Sequence, residues 1–177
     1  MKQGGPGIFA FTLASNNGLL RDLRTNCRIC PGFDPKSSPN PPPALREYGA
    51  IWDTGATSSV ITQRVVDDCS LAPIGRVKVH GVLGEETSPV YLVNMMLPNN
   101  VGIPNIKVTL GKITIGIDVL IGMDIITKGD FSITNKNSKT IFTFRIPSQH
   151  HVDFVKEINS PPKQTHGPGR RKKGRRR

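Results

Sequence analysis

From residue 44 onward, hydrophobic side chains recur at every second position. Ile106, Val108 and Leu110 alternate with Lys107 and Thr109. Ile113, Ile115, Ile117 and Val119 alternate with Thr114, Gly116 and Asp118, and Phe142, Phe144 and Ile146 with Thr143 and Arg145. A period of two predicts strands with one buried and one wetter face. Asn99-Asn100-Val101-Gly102 and Gly111-Lys112 supply turn chemistry between them. Helical spacing is scarce. Short helices are predicted over 62–69, in the turn after Gly122, and over 152–158, the last packing on the outside. Leu19, Leu20 and Leu23 allow one more. Together these patterns predict an all-β domain of short strands, closed or nearly closed.

Composition sets the borders of that domain. Residues 31–43 hold Pro31, Gly32, Pro35, Pro39, Pro41, Pro42 and Pro43, a segment that favours extended, solvated conformations. It separates residues 1–46, read as a flexible N-terminal arm and linker, from a domain over 47–148 and a C-terminal extension over 149–177. Charge follows the same division: +4 over 1–46, −1 over 47–155 and +8 over 156–177. The basicity belongs to the ends.

Three cysteines make no disulfide scaffold and fit a reducing compartment. Cys27-x-x-Cys30 is half of a zinc site without a second half, so these are expected as free thiols in the arm. His80 lacks a partner at metal-ligand spacing and is read as a surface residue. No metal and no cofactor are expected. The apolar run 8–14 lacks the cleavage site of a signal peptide, and no stretch reaches the roughly 18 apolar residues of a membrane span. The expectation is a soluble, cytoplasmic protein.

The most informative residues are Asp53-Thr54-Gly55-Ala56, which occur once, directly after the hydrophobic run Tyr48-Gly49-Ala50-Ile51-Trp52. With Thr57 and Ser58 they read as a strand running into a tight loop that presents one carboxylate. Downstream lies Val119-Leu120-Ile121-Gly122-Met123-Asp124. Together these resemble the single-lobe aspartic proteases of the retropepsin type. Gly129-Asp130-Phe131-Ser132-Ile133-Thr134-Asn135 and Thr140-Ile141-Phe142-Thr143-Phe144 closely resemble its bacterial members.

The resemblance implies a small β-barrel of the acid-protease type and an aspartic endopeptidase in which Asp53 is catalytic. Hydrolysis by carboxylates needs two of them sharing one proton, one drawing a proton from water and the other hydrogen-bonding to the scissile carbonyl. The two-lobed pepsin-like enzymes carry two such motifs on a chain about twice as long. One motif here implies a homodimer in which each subunit supplies Asp53. Gly55 removes a side chain where two loops approach closely. By resemblance, Thr54 reaches across the two-fold axis, and Ala56 and Thr57 occupy the small-residue positions that support the loop. Leu120, Ile121 and Gly122 form the hydrophobic-hydrophobic-Gly turn, with Gly122 packing beneath the loop. Asp124 is assigned a structural part, capping the helix that follows. Trp52 is bulkier than the aliphatic residue common before the catalytic Asp.

A glycine-tipped hairpin, Gly81-Val82-Leu83-Gly84, is the expected flap. It would close over an extended polypeptide substrate bound as an added strand, with Val82 and Leu83 lining apolar pockets. Residues 170–177 put seven positive charges in eight residues. They suit non-specific contact with nucleic acid or an anionic surface, or else a solvated end. Two alternatives stand beside the protease: an inactive retropepsin-like module for dimerisation or peptide binding, and a nucleic-acid-binding protein working through its basic tail.

Overall fold

Strands dominate because β-branched and aromatic residues sit at alternate positions and bury one face of each run. The computed structural model describes residues 7–37, 39–81, 84–113 and 116–160. In chain order the strands are β1 (Phe9–Ala14), β2 (Leu23–Pro31), β3 (Arg46–Trp52), β4 (Val60–Ile61), β5 (Gly75–Gly81), β6 (Gly84–Leu97), β7 (Val101–Leu110), β8 (Val119–Ile121), β9 (Asp130–Thr134) and β10 (Ile141–Ile146). The helices are α1 (Gln63–Asp68), α2 (Met123–Ile126) and α3 (Phe154–Asn159).

Six strands close a barrel in the order β2-β3-β8-β4-β7-β6, because β2 also pairs with β6. Closure removes the exposed edges that open sheets leave unpaired. β5 hangs on β6 alone as the outer arm of a hairpin. The β6–β7 connection turns through Asn99 and Asn100, both at positive φ, where asparagine is tolerated better than most residues. Ile29, Ala50, Ile61, Val93, Val108, Val119 and Ile121 fill the interior, each fully buried.

A three-stranded sheet, β1-β10-β9, lies outside the barrel ring. It delivers Phe11, Phe131, Phe142 and Phe144 onto Trp52, with ring centroids 5.1–5.9 Å from the indole. The tilted and edge-on geometry is the favourable one for aromatic pairs. Trp52 Nε1 donates to Thr25 Oγ1 at 3.1 Å, so the buried indole N–H is satisfied. A side chain bulkier than aliphatic is therefore accommodated by a dedicated aromatic cluster.

Several expectations are corrected here. The stretch read as a flexible arm contributes two strands, and β2 is a stave of the barrel. Its Leu23, Thr25, Cys27 and Ile29 alternate with Arg24, Asn26 and Arg28, and the basic residues on that outer face mask the pattern. Leu19 and Leu20 lie outside any helix and Leu23 begins β2. Cys27, Cys30 and Cys69 are free but buried. Burial, then the charges of Glu47 and Asp118, pushes the Cys27 thiol up to about 12, and burial followed by Cys69 raises Cys30. Neutral thiols are poor metal ligands. The strand expected through 113–119 begins only at Val119, because Gly116 turns at positive φ; Thr114 and Ile115 lie outside the described residues. α1 and α2 fall where helices are predicted, while α3 forms with no buried residue. No described helix is long and apolar enough to cross a membrane.

The chain leaving β10 is latched by Asp130. Its carboxylate accepts from the Ser148 hydroxyl, the Gln149 N–H and the Arg145 guanidinium, and these three, in that order, hold it well below the usual carboxylate range.

Two outcomes follow. Phe142→Ala should cost about 3–5 kcal/mol in denaturant unfolding and red-shift the emission of Trp52, the single tryptophan. A lowered carboxylate stabilises the fold fully above its ordinary pKa of 3.8 and loses that contribution as pH falls through the lowered value. Asp130→Asn should therefore lower the melting temperature near neutral pH, the gap to wild type closing only in strong acid.

Candidate active site

β3 and β8 run parallel and in register, Trp52 opposite Ile121. The residue following each strand is thus Asp53 on one side and Gly122 on the other. The ladder continues one step further, Asp53 N–H donating to Ile121 C=O at 2.9 Å. Asp53 then turns the chain on itself. Its Oδ1 accepts from the Gly55 N–H at 2.8 Å, and its carbonyl from Ala56 N–H at 3.3 Å. This is the Asx-type turn that short acidic side chains favour. It fixes one carboxylate oxygen and leaves the other without a hydrogen bond among the described residues.

Two backbone hydrogen bonds sew the loop to the start of α2. Met123 N–H donates to Ala56 C=O at 2.8 Å and Asp124 N–H to Thr57 C=O at 3.2 Å. Gly122 lies directly beneath. A Cβ on it would stand 2.7 Å from Ser58 C and 3.0 Å from Ala56 O, both immovable backbone atoms. Leu120 and Ile121 hold this turn in the barrel, Ile121 fully buried and Leu120 half-buried, each paired across β3 and β8.

One residue that pattern reading missed joins these parts. Ser59 is fully buried; its Oγ donates to Asp124 Oδ1 at 2.8 Å and accepts the Gly122 N–H at 3.1 Å. A serine among Thr57-Ser58-Ser59 carries no periodic signal that separates it from its neighbours. Asp124 is not the helix N-cap, which is Gly122. From the first turn its Oδ1 accepts from Ile125 N–H at 3.0 Å as well as from Ser59, so its carboxylate serves the scaffold.

Behind the loop, Asp118 ties three elements. It accepts from Thr62 Oγ1 and Arg64 Nη1, both at 3.0 Å, and its N–H donates to Gly49 C=O.

Asp53 is half-buried, Ala56 likewise, and Thr54, Gly55, Thr57 and Ser58 are exposed. The hydroxyl of Thr54 makes no hydrogen bond among the described residues. Of the expected flap, Gly81 and Gly84 pair across the tip of the β5–β6 hairpin; Val82 and Leu83 lie outside the described residues. Cavities of about 410 Å³ and 540 Å³ open elsewhere on the molecule, and no residue of the Asp53 loop lines either. Among the described residues no three His, Cys, Asp or Glu side chains gather as metal ligands.

The seam beneath the loop makes a graded prediction. Ser59→Ala orphans the buried Gly122 N–H and one bond to Asp124, costing about 1–3 kcal/mol with the fold retained in circular dichroism. Gly122→Ala forces a methyl into Ser58 and should be the more damaging of the two in thermal unfolding.

Residues 46–125 match the model of the family described as aspartyl protease. No curated protein sequence matches. Among solved structures, the chain is similar to a retropepsin-like aspartic protease from Rickettsia conorii at 14% identity and a TM-score of 0.49, covering 82% of this chain and 98% of that one. It is similar to the EIAV protease complexed with the inhibitor HBY-793 at 17% identity and a TM-score of 0.44, covering 63% and 91%. The simian foamy virus (mac) protease follows at 16% identity and 0.38, covering 58% and 89%. The stretch that matches the aspartyl protease family model, 46–125, holds both the single Asp-Thr-Gly loop and the Gly122 turn beneath it.

Proposed function

We propose that the protein is a homodimeric aspartic endopeptidase whose two Asp53 carboxylates meet across a two-fold axis. The observation that carries this reading is an incomplete site. One chain offers one Asp-Thr-Gly, on a loop tip whose Thr54, Gly55 and Thr57 are exposed. Among the described residues its carboxylate has a single hydrogen bond, from Gly55. A second copy of the same loop is the economical way to supply the second carboxylate.

In the proposed dimer the two acids share one proton, because like charges a few ångströms apart do not both ionise. The ionised member takes a proton from a water molecule. That water attacks the scissile carbonyl carbon while the protonated member hydrogen-bonds to the carbonyl oxygen. The C–N bond then breaks as the leaving nitrogen receives a proton from the dyad. Thr54, Gly55, Ala56 and Thr57 are the proposed loop support. Leu120, Ile121, Gly122 and Asp124 are the proposed platform beneath it. The β5–β6 hairpin is the proposed flap, closing over an extended polypeptide that adds as a strand. The working unit in this proposal runs from β1 to β10, since β1 and β10 both pack on Trp52.

Asp53→Asn should abolish cleavage of a diverse peptide mixture, by at least about a thousandfold, with melting temperature and dimer mass unchanged. Wild-type activity should follow a bell-shaped pH profile whose two limbs belong to the pair of carboxylates. If neither protein cleaves although both fold and dimerise, the chain is a peptide-binding module instead.

A further inference from the structure

α3 is capped at both ends yet buries none of its residues. Asp153 Oδ1 accepts the Lys156 N–H at 3.0 Å, and Ser160 Oγ donates to the Lys156 carbonyl at 2.6 Å. Six-residue helices are unstable in water by themselves, and their usual support is an apolar stripe buried against the protein. α3 buries none. Val152, Phe154, Val155 and Ile158 are 60%, 65%, 69% and 82% exposed. With successive residues about 100° apart around the axis, Phe154, Ile158 and Val155 form one apolar arc about 100° wide. Lys156 points away from it, its Nζ 3.5 Å from Asp153.

The sequence directly beyond this helix is purely cationic. Residues 160–177 carry eight Lys or Arg and no Asp or Glu, seven of the eight within 170–177. Taken singly, each feature has many partners. A basic run suits any polyanion through counterion release, and an apolar arc suits any greasy groove. Their conjunction within one short segment narrows the choice to a surface that is anionic outside and apolar just beneath. A polynucleotide gives Val155 and Ile158 no apolar layer to enter. A bilayer containing acidic phospholipid gives them the acyl boundary and gives the arginines phosphate headgroups. Two weak anchors on one chain also reinforce each other, since engagement of one raises the effective concentration of the other.

We propose that residues 152–177 dock the protein on anionic phospholipid membranes, α3 lying in the interfacial plane with Phe154, Val155 and Ile158 inserted. The site is separate from Asp53 and does not depend on the chemistry there.

The test is co-sedimentation of the full chain with vesicles of phosphatidylcholine alone or with about one third phosphatidylserine, at about 0.15 M salt. Three proteins are compared: wild type, the triple variant Phe154→Ser, Val155→Ser, Ile158→Ser, and a chain ending at residue 169. Because α3 buries no residue, the triple variant should keep the wild-type melting temperature. Wild type should pellet with the acidic vesicles only, and each variant should partition at least about tenfold less. Equal partitioning of the triple variant, equal binding to neutral vesicles, or no binding to either would overturn the proposal. So would retention of a single-stranded RNA oligomer, insensitive to the triple variant, by a chain that leaves vesicles unbound.

Discussion

A glycine with no room for a side chain is the constraint on which the site depends. Gly122 sits under the Asp53 loop closely enough that a single Cβ would strike the backbone of Ser58. That contact lets Met123 and Asp124 donate their N–H groups to Ala56 and Thr57, and it brings the Gly122 N–H onto the buried Ser59 hydroxyl. The loop is thereby held by bonds whose donors and acceptors are mostly main chain. Main-chain partners leave the exposed loop side chains uncommitted. Rigidity is supplied from below and the upper surface stays open, which is what the proposed meeting of two Asp53 carboxylates would require.

The rest of the architecture delivers the two halves of that seam to each other. The parallel β3–β8 pairing sets Asp53 opposite Gly122 by register alone. Trp52, one residue before Asp53, is locked from the other side by the phenylalanines of the β1-β10-β9 sheet and by Thr25 on β2. Strands distant in sequence therefore converge on the residue preceding the carboxylate. The N-terminal segment is a structural partner of the site.

Legibility in the sequence followed the strength of local patterns. β7 and β10 declared themselves because aliphatic and aromatic residues alternate cleanly with polar ones. The Asp53 loop was legible because its residue types are few and contiguous, and Gly122 because a glycine interrupts a buried hydrophobic run. β2 was obscured because its outer face carries Arg24, Arg28 and Asn26 next to a proline-rich stretch, so charge outweighed a real period of two. Ser59 was not legible at all, since its importance comes from two long-range bonds, to Gly122 and Asp124, that no local window contains. The end of the run 113–119 as a strand turned on the backbone conformation of Gly116, which its residue type permits without requiring.

The claim at the centre of this account is that one chain holds half of a catalytic pair. It is tested most directly by mixing wild type with increasing proportions of Asp53→Asn under conditions where subunits exchange, and measuring peptide cleavage per wild-type chain. If two Asp53 residues must meet, only pairs of wild-type chains work, and activity per wild-type chain falls in proportion to the wild-type fraction. Activity per wild-type chain that stays constant through the whole mixing series would mean that a single chain suffices, and would contradict the account.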